Sequence, residues 1–263
     1  MQILIISLAN AKGRQKFQKE QLSFYKLAYQ FLDAVSKDHI SPEKYQQSFQ
    51  DWQRPLKATE VACYYSHRTA WKKVIAANKP MLILEDDALL SKSITQLLPA
   101  LEMELNADLI NLENRGRKKF VAKKGITTVC DSQILRLYQD RTGAASYILW
   151  PSGAKKLIEC EQKKGIALAD AHITACHTLQ SYQIEPAVAI QLDHCEHYQM
   201  LNPVDQILAK SSVSSRFNGK GNWKFWLRRL YHQVQLGWRQ LGLLIISERR
   251  YINIKPKDFY KQS

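Results

Sequence analysis

The stretch MLILEDDALL, Met81 to Leu90, sets four apolar residues directly ahead of Glu85, Asp86 and Asp87. A short apolar run of this kind is the signature of a strand buried on both faces. Three adjacent carboxylates at its mouth repel one another unless a cation or sharply different surroundings separate them. In open α/β sheets the ligand crevice lies beyond the carboxyl ends of the strands, which is where this triplet falls. Acidic residues can also simply solvate a loop or cap the next helix, so location alone leaves both readings open.

Working outward, ILIIS (3–7) reads as a first buried strand, followed by helix-forming residues from Gly13 to Leu27. YQFLDAV (29–35) reads as a second strand, and residues 56–79 as a helix with Thr59 near its start and Asn78 near its end. Beyond the acidic triplet, SITQLLPALEMEL is helical in pattern, ADLINL (107–112) strand-like, and GITTVC through ILRLY β-rich. SYILW (146–150) is a strand, and Pro151 opens the helix SGAKKLIECEQKK where its missing N–H costs nothing. The alternation predicts an α/β fold with a mainly parallel sheet and helices on both faces. KSSVSSRFNGKGN (210–222) reads as a linker, dividing the chain into a domain at 1–208 and an appendage at 209–263.

With 263 residues, 45% of them hydrophobic and 24% charged, the chain is long enough for one full core and is neither disordered nor fibrous in composition. The net charge of +14 is uneven: residues 209–263 carry 12 basic and 2 acidic side chains, leaving +4 for the first 208. A basic tail suits an anionic surface, phospholipid or nucleic acid. Within it, residues 222–246 put Trp223, Trp226, Leu230, Val234, Trp238, Leu241 and Ile245 on one helical stripe, and Lys224, Arg228, His232 and Arg239 on another. Such a helix either lies in an anionic leaflet or packs on the domain with its basic face in water. Five scattered cysteines without a C-x-x-C pair suit free thiols in a reducing compartment. The apolar start MQILIISLAN lacks the features of a signal peptide, and no run reaches the roughly 20 apolar residues of a membrane span. A cytoplasmic location follows as the expectation.

Hard oxygen donors such as the triplet suit Mg²⁺ or Mn²⁺, which complete their octahedra with water and phosphate oxygens. Neither G-x-x-x-x-G-K-[ST] nor G-x-G-x-x-G is present, so phosphates would be held by metal and basic side chains rather than by a glycine loop. Arg14 offers a bidentate fork for a diphosphate. His172, Cys176, His177, His194, Cys195 and His197 match no common zinc spacing.

The run ATEVACYYSHRTAWKKVIAANKPMLILEDDALL resembles glycosyltransferase family 25, in which a Cys-x-x-Ser-His helix precedes an Ile-Leu-Glu-Asp-Asp strand end. ILIISL with Arg14, FLDAVS, TGAASYILWPSGAKKLI (142–158), ALADAHI (167–173) and IEPAVAIQ resemble further family blocks in the same order, from residue 3 to 191. Thr59, Glu60, Val61 and Ala62 depart from the family's usual Gly-Glu-Ile-Gly, and Ala169 replaces its Val. The resemblance implies a GT-A-like domain that moves a hexose from UDP-galactose or UDP-glucose to a lipooligosaccharide acceptor with inversion, most simply as a β-galactosyltransferase. It implies Mn²⁺ or Mg²⁺ as cofactor, Asp87 as direct ligand with His194 completing the shell, and Arg14, Ser66, His67, Glu85 and Asp86 in the donor site. Inversion needs a single group to take the acceptor proton, and Asp170, which matches the family's Asp block and would begin a helix facing the cleft, is the expected base; its other reading is a helix N-terminal residue placed for the macrodipole. The lipid acceptor favours an anionic membrane surface as partner of the tail and a peripheral place on the inner face of the bacterial inner membrane, with no nucleic acid. Two other classes remain: a noncatalytic nucleic-acid- or membrane-binding protein, and a metal-dependent UDP-sugar hydrolase.

Overall fold

Alternate residues of each central strand meet different cores. In the strands Gln2–Ser7 (β1), Met81–Glu85 (β3) and Ser146–Leu149 (β9), one set (Ile3, Ile5, Leu82, Leu84, Ile148) packs into one apolar cluster. The intervening set (Leu4, Ile6, Met81, Ile83, Tyr147, Leu149) packs into another. Burial on both faces is the reason these segments are continuously apolar.

The structure, a computed structural model, describes residues 1–103, 107–140, 143–204 and 223–260. The proposed linker, the boundary at 208/209 and Thr142 lie outside the described residues. In chain order the remaining elements are Lys12–Phe24 (α1), Tyr29–Asp33 (β2), Pro42–Phe49 (α2), Ala58–Ala77 (α3), Ala88–Leu90 (β4), Ile94–Met103 (α4), Leu109–Asn111 (β5), Lys119–Ala122 (β6), Ile126–Thr128 (β7) and Ser132–Gln139 (β8). They continue with Pro151–Lys164 (α5), Ala169–Ala175 (α6), Ser181–Glu185 (β10), Ala189–Gln191 (β11), Trp223–Ile246 (α7) and Ser247–Arg250 (β12).

Ten strands form one sheet in the order β12-β6-β8-β10-β5-β9-β3-β1-β2, with β7 on β8; β4 and β11 form a small second sheet. Strands β2, β1, β3, β5, β10, β6 and β7 run one way, and β8, β9 and β12 against them. Most strands thus share a direction, yet the insertion of β9 between β3 and β5 makes both of its pairings antiparallel. Residue Asn78 closes α3 in the left-handed conformation (φ 49°), a position that asparagine tolerates well. The block IEPAVAIQ is not a single strand. A cis Glu185–Pro186 bond separates β10, in the main sheet, from β11, which pairs with β4 just past the acidic triplet.

The sequence reading expects 209–263 to be an appendage; the structure differs after Ile246. Strand β12 pairs antiparallel with β6, Ile252 is buried, and Phe259 and Tyr260 join the main core. The sheet edge is supplied by the polar strand SERR, and the few apolar residues that follow it dock the segment onto the cores.

The orientation of α7 departs from the expectation of a helix packed on the domain with its basic face in water. Its cationic stripe faces the domain: Arg228 donates to the carbonyls of Gln50 and Trp52, the His232 ring lies against Trp52, and Arg239 donates to the Tyr138 carbonyl at 3.0 Å. Phe225 meets Phe49, and Leu243 is buried. The apolar stripe is the one left in solvent. The protein offers carbonyl acceptors along this contact, and guanidinium groups fill them better than leucines can.

Candidate active site

A cleft of about 540 Å³ opens at the carboxyl ends of β1, β2 and β3, within the usual size of a small-molecule site. The loop after β1, the turn at residues 34–38, one face of α3 and the triplet Glu85-Asp86-Asp87 line it. All five expected donor-site residues, Arg14, Ser66, His67, Glu85 and Asp86, border this cleft, as does Asp87. Asp170 and His194 do not line it.

Each carboxylate of the triplet has a different environment. Asp86 turns back to β1: Ser7 Oγ donates to Oδ2 at 2.8 Å and Arg14 Nη1 to Oδ1 at 3.0 Å. Burial still raises its pKa beyond what Arg14 and Ser7 recover. Two buried amides on α1 fix the turn that follows, Gln18 donating to the carbonyls of Asp86 and Ala88, and Gln21 pairing with Ala88 and Leu90.

Glu85 faces α3. His67 Nε2 lies 3.1 Å from Oε1, and Gln191 Nε2 donates to Oε2 at 3.4 Å. Behind His67, Nδ1 is 3.0 Å from the Tyr147 hydroxyl, which accepts the indole N–H of Trp71 at 2.9 Å. An ionised Glu85 can only accept, so Nε2–H donates to it, and in the neutral ring Nδ1 is left to accept from the Tyr147 hydroxyl, which still has a lone pair for the Trp71 N–H. Burial would raise the Glu85 pKa, but the His67 bond and the charges of Arg115 and Arg14 bring it below the ordinary value.

Asp87 is the least satisfied. It is buried, Oδ2 stands 3.7 Å from Arg14, and Oδ1 has no hydrogen-bond partner among the described residues. Burial first, then Glu85, push its pKa well above the carboxylate range. A buried carboxyl with an unspent oxygen beside a second carboxylate gives up its proton readily to a hard divalent cation, so the residues fit Mn²⁺ or Mg²⁺.

Ser66 has a structural job: Oγ donates to the Ala62 carbonyl and accepts the Val35 N–H, both at 2.8 Å, tying the 34–36 turn to α3. Asp170 begins α6, where its Oδ1 accepts the Ala171 N–H at 2.7 Å. Burial raises its pKa, and the field of Glu85 adds to that. His194 sits in a short 3-10 turn after β11; burial and Arg115 lower its pKa, favouring the neutral ring that a ligand must present. Among the described residues, the donor atoms gathered within 4.8 Å of one another are those of Cys63, His67 and Glu85, without Asp87 or His194. The proton that His67 Nε2 holds toward Glu85 opposes a metal at that nitrogen.

Sequence reasoning passed over Glu113. It follows β5 as Glu85 ends β3, so the same strand-end logic applied to ADLINL would have found it. Its Oε2 accepts the Ala145 N–H at 3.0 Å, and its buried Oε1 has no partner among the described residues. Burial brings it to about 7, with Glu85 adding and Arg115 opposing. Arg115 in turn donates to Gln191 and, at 3.0 Å, to Asp193.

The family model of glycosyltransferase family 25, described as LPS biosynthesis proteins, matches residues 1–173. The chain belongs to glycosyltransferase family 25. Among family 25 relatives, a Haemophilus influenzae protein named only as a glycosyltransferase is 25% identical over 63% of this chain and 59% of its own length. The lipooligosaccharide biosynthesis protein lic2B of Haemophilus influenzae is 26% identical, over 71% and 74% respectively. The lacto-N-neotetraose biosynthesis glycosyltransferase LgtB of Neisseria meningitidis serogroup B is 25% identical, over 57% and 58%. The chain thus spans well under two thirds of the length of two of these three. Among solved structures, an inositol-1-phosphate CTP transferase from T. maritima aligns at 10% identity over 80% of this chain and 91% of its own, with a TM-score of 0.44.

Proposed function

We propose that this family 25 chain transfers a hexose, galactose by preference, from a UDP-sugar to a lipooligosaccharide acceptor in a single inverting displacement on a GT-A-like scaffold. The observation that carries the reading is the unspent Asp87 oxygen in a cleft whose other walls supply Arg14 and the β1 loop. Named relatives in lipooligosaccharide synthesis support the choice of acceptor.

Asp87 would hold the divalent ion, with His194 brought in from the neighbouring turn. When bound, the ion supplies charge neutralisation for the departing diphosphate. Arg14, already aimed into the cleft, shares that anion and leaves Asp86 to the ribose or sugar hydroxyls. Glu85, fixed by His67, keeps an ionised edge toward the donor. Asp170, its pKa raised toward the working range, takes the acceptor hydroxyl's proton. A lipid-borne acceptor places the reaction at a membrane surface, the cytoplasmic face of the inner membrane. No helix among the described residues is long and apolar enough to cross a membrane.

The test measures UDP release from UDP-galactose and UDP-glucose with and without Mn²⁺, and with and without a lipooligosaccharide acceptor. Release that needs both additions supports the transfer. Release of equal rate without acceptor makes the chain a hydrolase, and no thermal stabilisation by any UDP-hexose with Mn²⁺ removes the donor reading altogether.

A further inference from the structure

Helix α7 carries an apolar stripe that the fold leaves bare. Trp223, Trp226, Leu230, Val234, Trp238 and Leu241 lie within a single face, and the two inner tryptophans are 63% and 73% exposed. The face opposite is committed to the domain through Arg228, His232, Arg239 and Leu243. The helix is therefore anchored with its apolar side outward, the reverse of a helix packed for solubility. We infer that this stripe inserts into the interfacial region of a phospholipid bilayer and seats the enzyme on the membrane that bears its acceptor. The choice of a bilayer rests on the lipid-acceptor reading above and on charge. The stripe holds three tryptophans, residues that favour the membrane–water interface, and the chain as a whole carries a net charge of +14, which repels a second copy and is attracted by an anionic leaflet.

The geometry makes a distinctive demand. With the stripe sunk roughly 5–10 Å into the headgroup–acyl boundary, the inward-facing cations sit behind the helix axis, at headgroup level or above. Apolar burial and tryptophan insertion then carry binding, and anionic lipid adds a smaller, salt-screened part. This differs from a polybasic tail, which releases from neutral lipid and at high salt.

The experiment is co-sedimentation of the full chain with vesicles of phosphatidylcholine alone and of phosphatidylcholine with phosphatidylglycerol, at low and high salt. The expected result is binding to both that survives high salt, with tryptophan fluorescence quenched by brominated acyl chains. The Trp226→Glu/Trp238→Glu variant loses at least about tenfold in partitioning to both vesicles; Trp226→Gln/Trp238→Gln gives a smaller loss, and both melt like the parent. Three results overturn the inference: no binding by the parent chain, binding confined to anionic vesicles and unchanged in the double variants, or a lipid-free dimer that buries the tryptophans. Transfer to a short soluble acceptor, unaffected in the double variants, separates the two readings. If the parent chain transfers to neither acceptor, the transfer reading falls while vesicle binding still decides α7.

Discussion

Two strands of the same sheet end in the same way and come to opposite ends. MLILE (β3) and SYQIE (β10) run in the same direction and each finishes on a glutamate at the carboxyl edge. Around Glu185 every demand is met: Arg250 forks onto both oxygens at 2.5 and 2.6 Å, Asn253 N–H donates at 2.9 Å and Gln133 at 3.1 Å. Burial would raise the Glu185 pKa, yet the Arg250 bonds outweigh it and lower the value. Glu85 likewise holds His67 and Gln191, but the carboxyls beside it are not matched: Asp87 and Glu113 each keep a buried oxygen without a partner among the described residues. Strand-end position alone therefore does not mark a site. Buried carboxyls that keep an oxygen unspent, gathered around one cleft, do, because a fold retains such costly groups where something else supplies the missing contacts.

The sharpest way to break the comparison is to exchange the expected losses. Asp87→Asn is expected to lower UDP-hexose turnover by at least about a hundredfold, the scale of losing a charge contact made in the transition state. It should leave the melting temperature equal or higher, since a buried carboxyl with an unpartnered oxygen beside Glu85 is replaced by a neutral amide. Arg250→Ala should do the opposite, costing about 3 kcal/mol of stability by stranding Glu185. Calorimetry and turnover on both variants decide; a silent Asp87→Asn would end the distinction.

Glu113 sharpens the contrast through pH. Its folded pKa of about 7 lies above the ordinary carboxylate value, so the folded state binds the extra proton. The stability that the protonated form contributes is full below about pH 4 and is lost as pH rises through about 7. Glu113→Gln removes the titration. The melting temperature of the variant relative to the parent should therefore climb between pH 5 and 8, by the equivalent of on the order of 2–3 kcal/mol. A constant difference across that range would mean that Glu113 is not held protonated by its surroundings.

Much of the fold was legible in the sequence where local pattern decides it. The buried strands announce themselves as apolar runs, Pro151 marks the first turn of α5, and Asn78 closes α3 in a conformation suited to asparagine. Three features depend on distant partners and could not be read locally. The antiparallel setting of β9 is fixed by its neighbours on both sides, the division of IEPAVAIQ between two sheets by the pairing of β11 with the distant β4, and the return of β12 by a glutamate 65 residues away. The orientation of α7 is the plainest case, since both stripes were visible in 222–246 but nothing in that segment says that the carbonyls of Gln50, Trp52 and Tyr138 await the arginines. In the site, residue type pointed to the triplet and Arg14 and the family resemblance to Ser66 and His67, and all of them line one cleft. Glu113, Arg115 and the amides of α1 were missed because they follow the strands and helices rather than a motif.

The smallest expected effect tests how Glu85 is held apart from its unsatisfied neighbours. The chain from Trp71 through Tyr147 to His67 takes its direction from Glu85, whose carboxylate only accepts and so draws the ring proton to Nε2, leaving Nδ1 to accept from Tyr147. Tyr147→Phe leaves the Trp71 N–H and His67 Nδ1 without partners, at a cost of about 1–2 kcal/mol, and frees His67 to shift its proton to Nδ1. Glu85 then loses its donor, and turnover should fall roughly tenfold, mainly in kcat if Glu85 acts after the donor has bound. Nitrogen-15 spectra of His67 give the readout that a packing defect would not move: the parent should show the proton on Nε2, and the variant a mixture of tautomers. A parent ring protonated at Nδ1 would reverse the chain and detach Glu85 from it. His67 would then be free to present Nε2 with Cys63 to a cation, and the satisfied edge of the site would prove to be its metal-binding one.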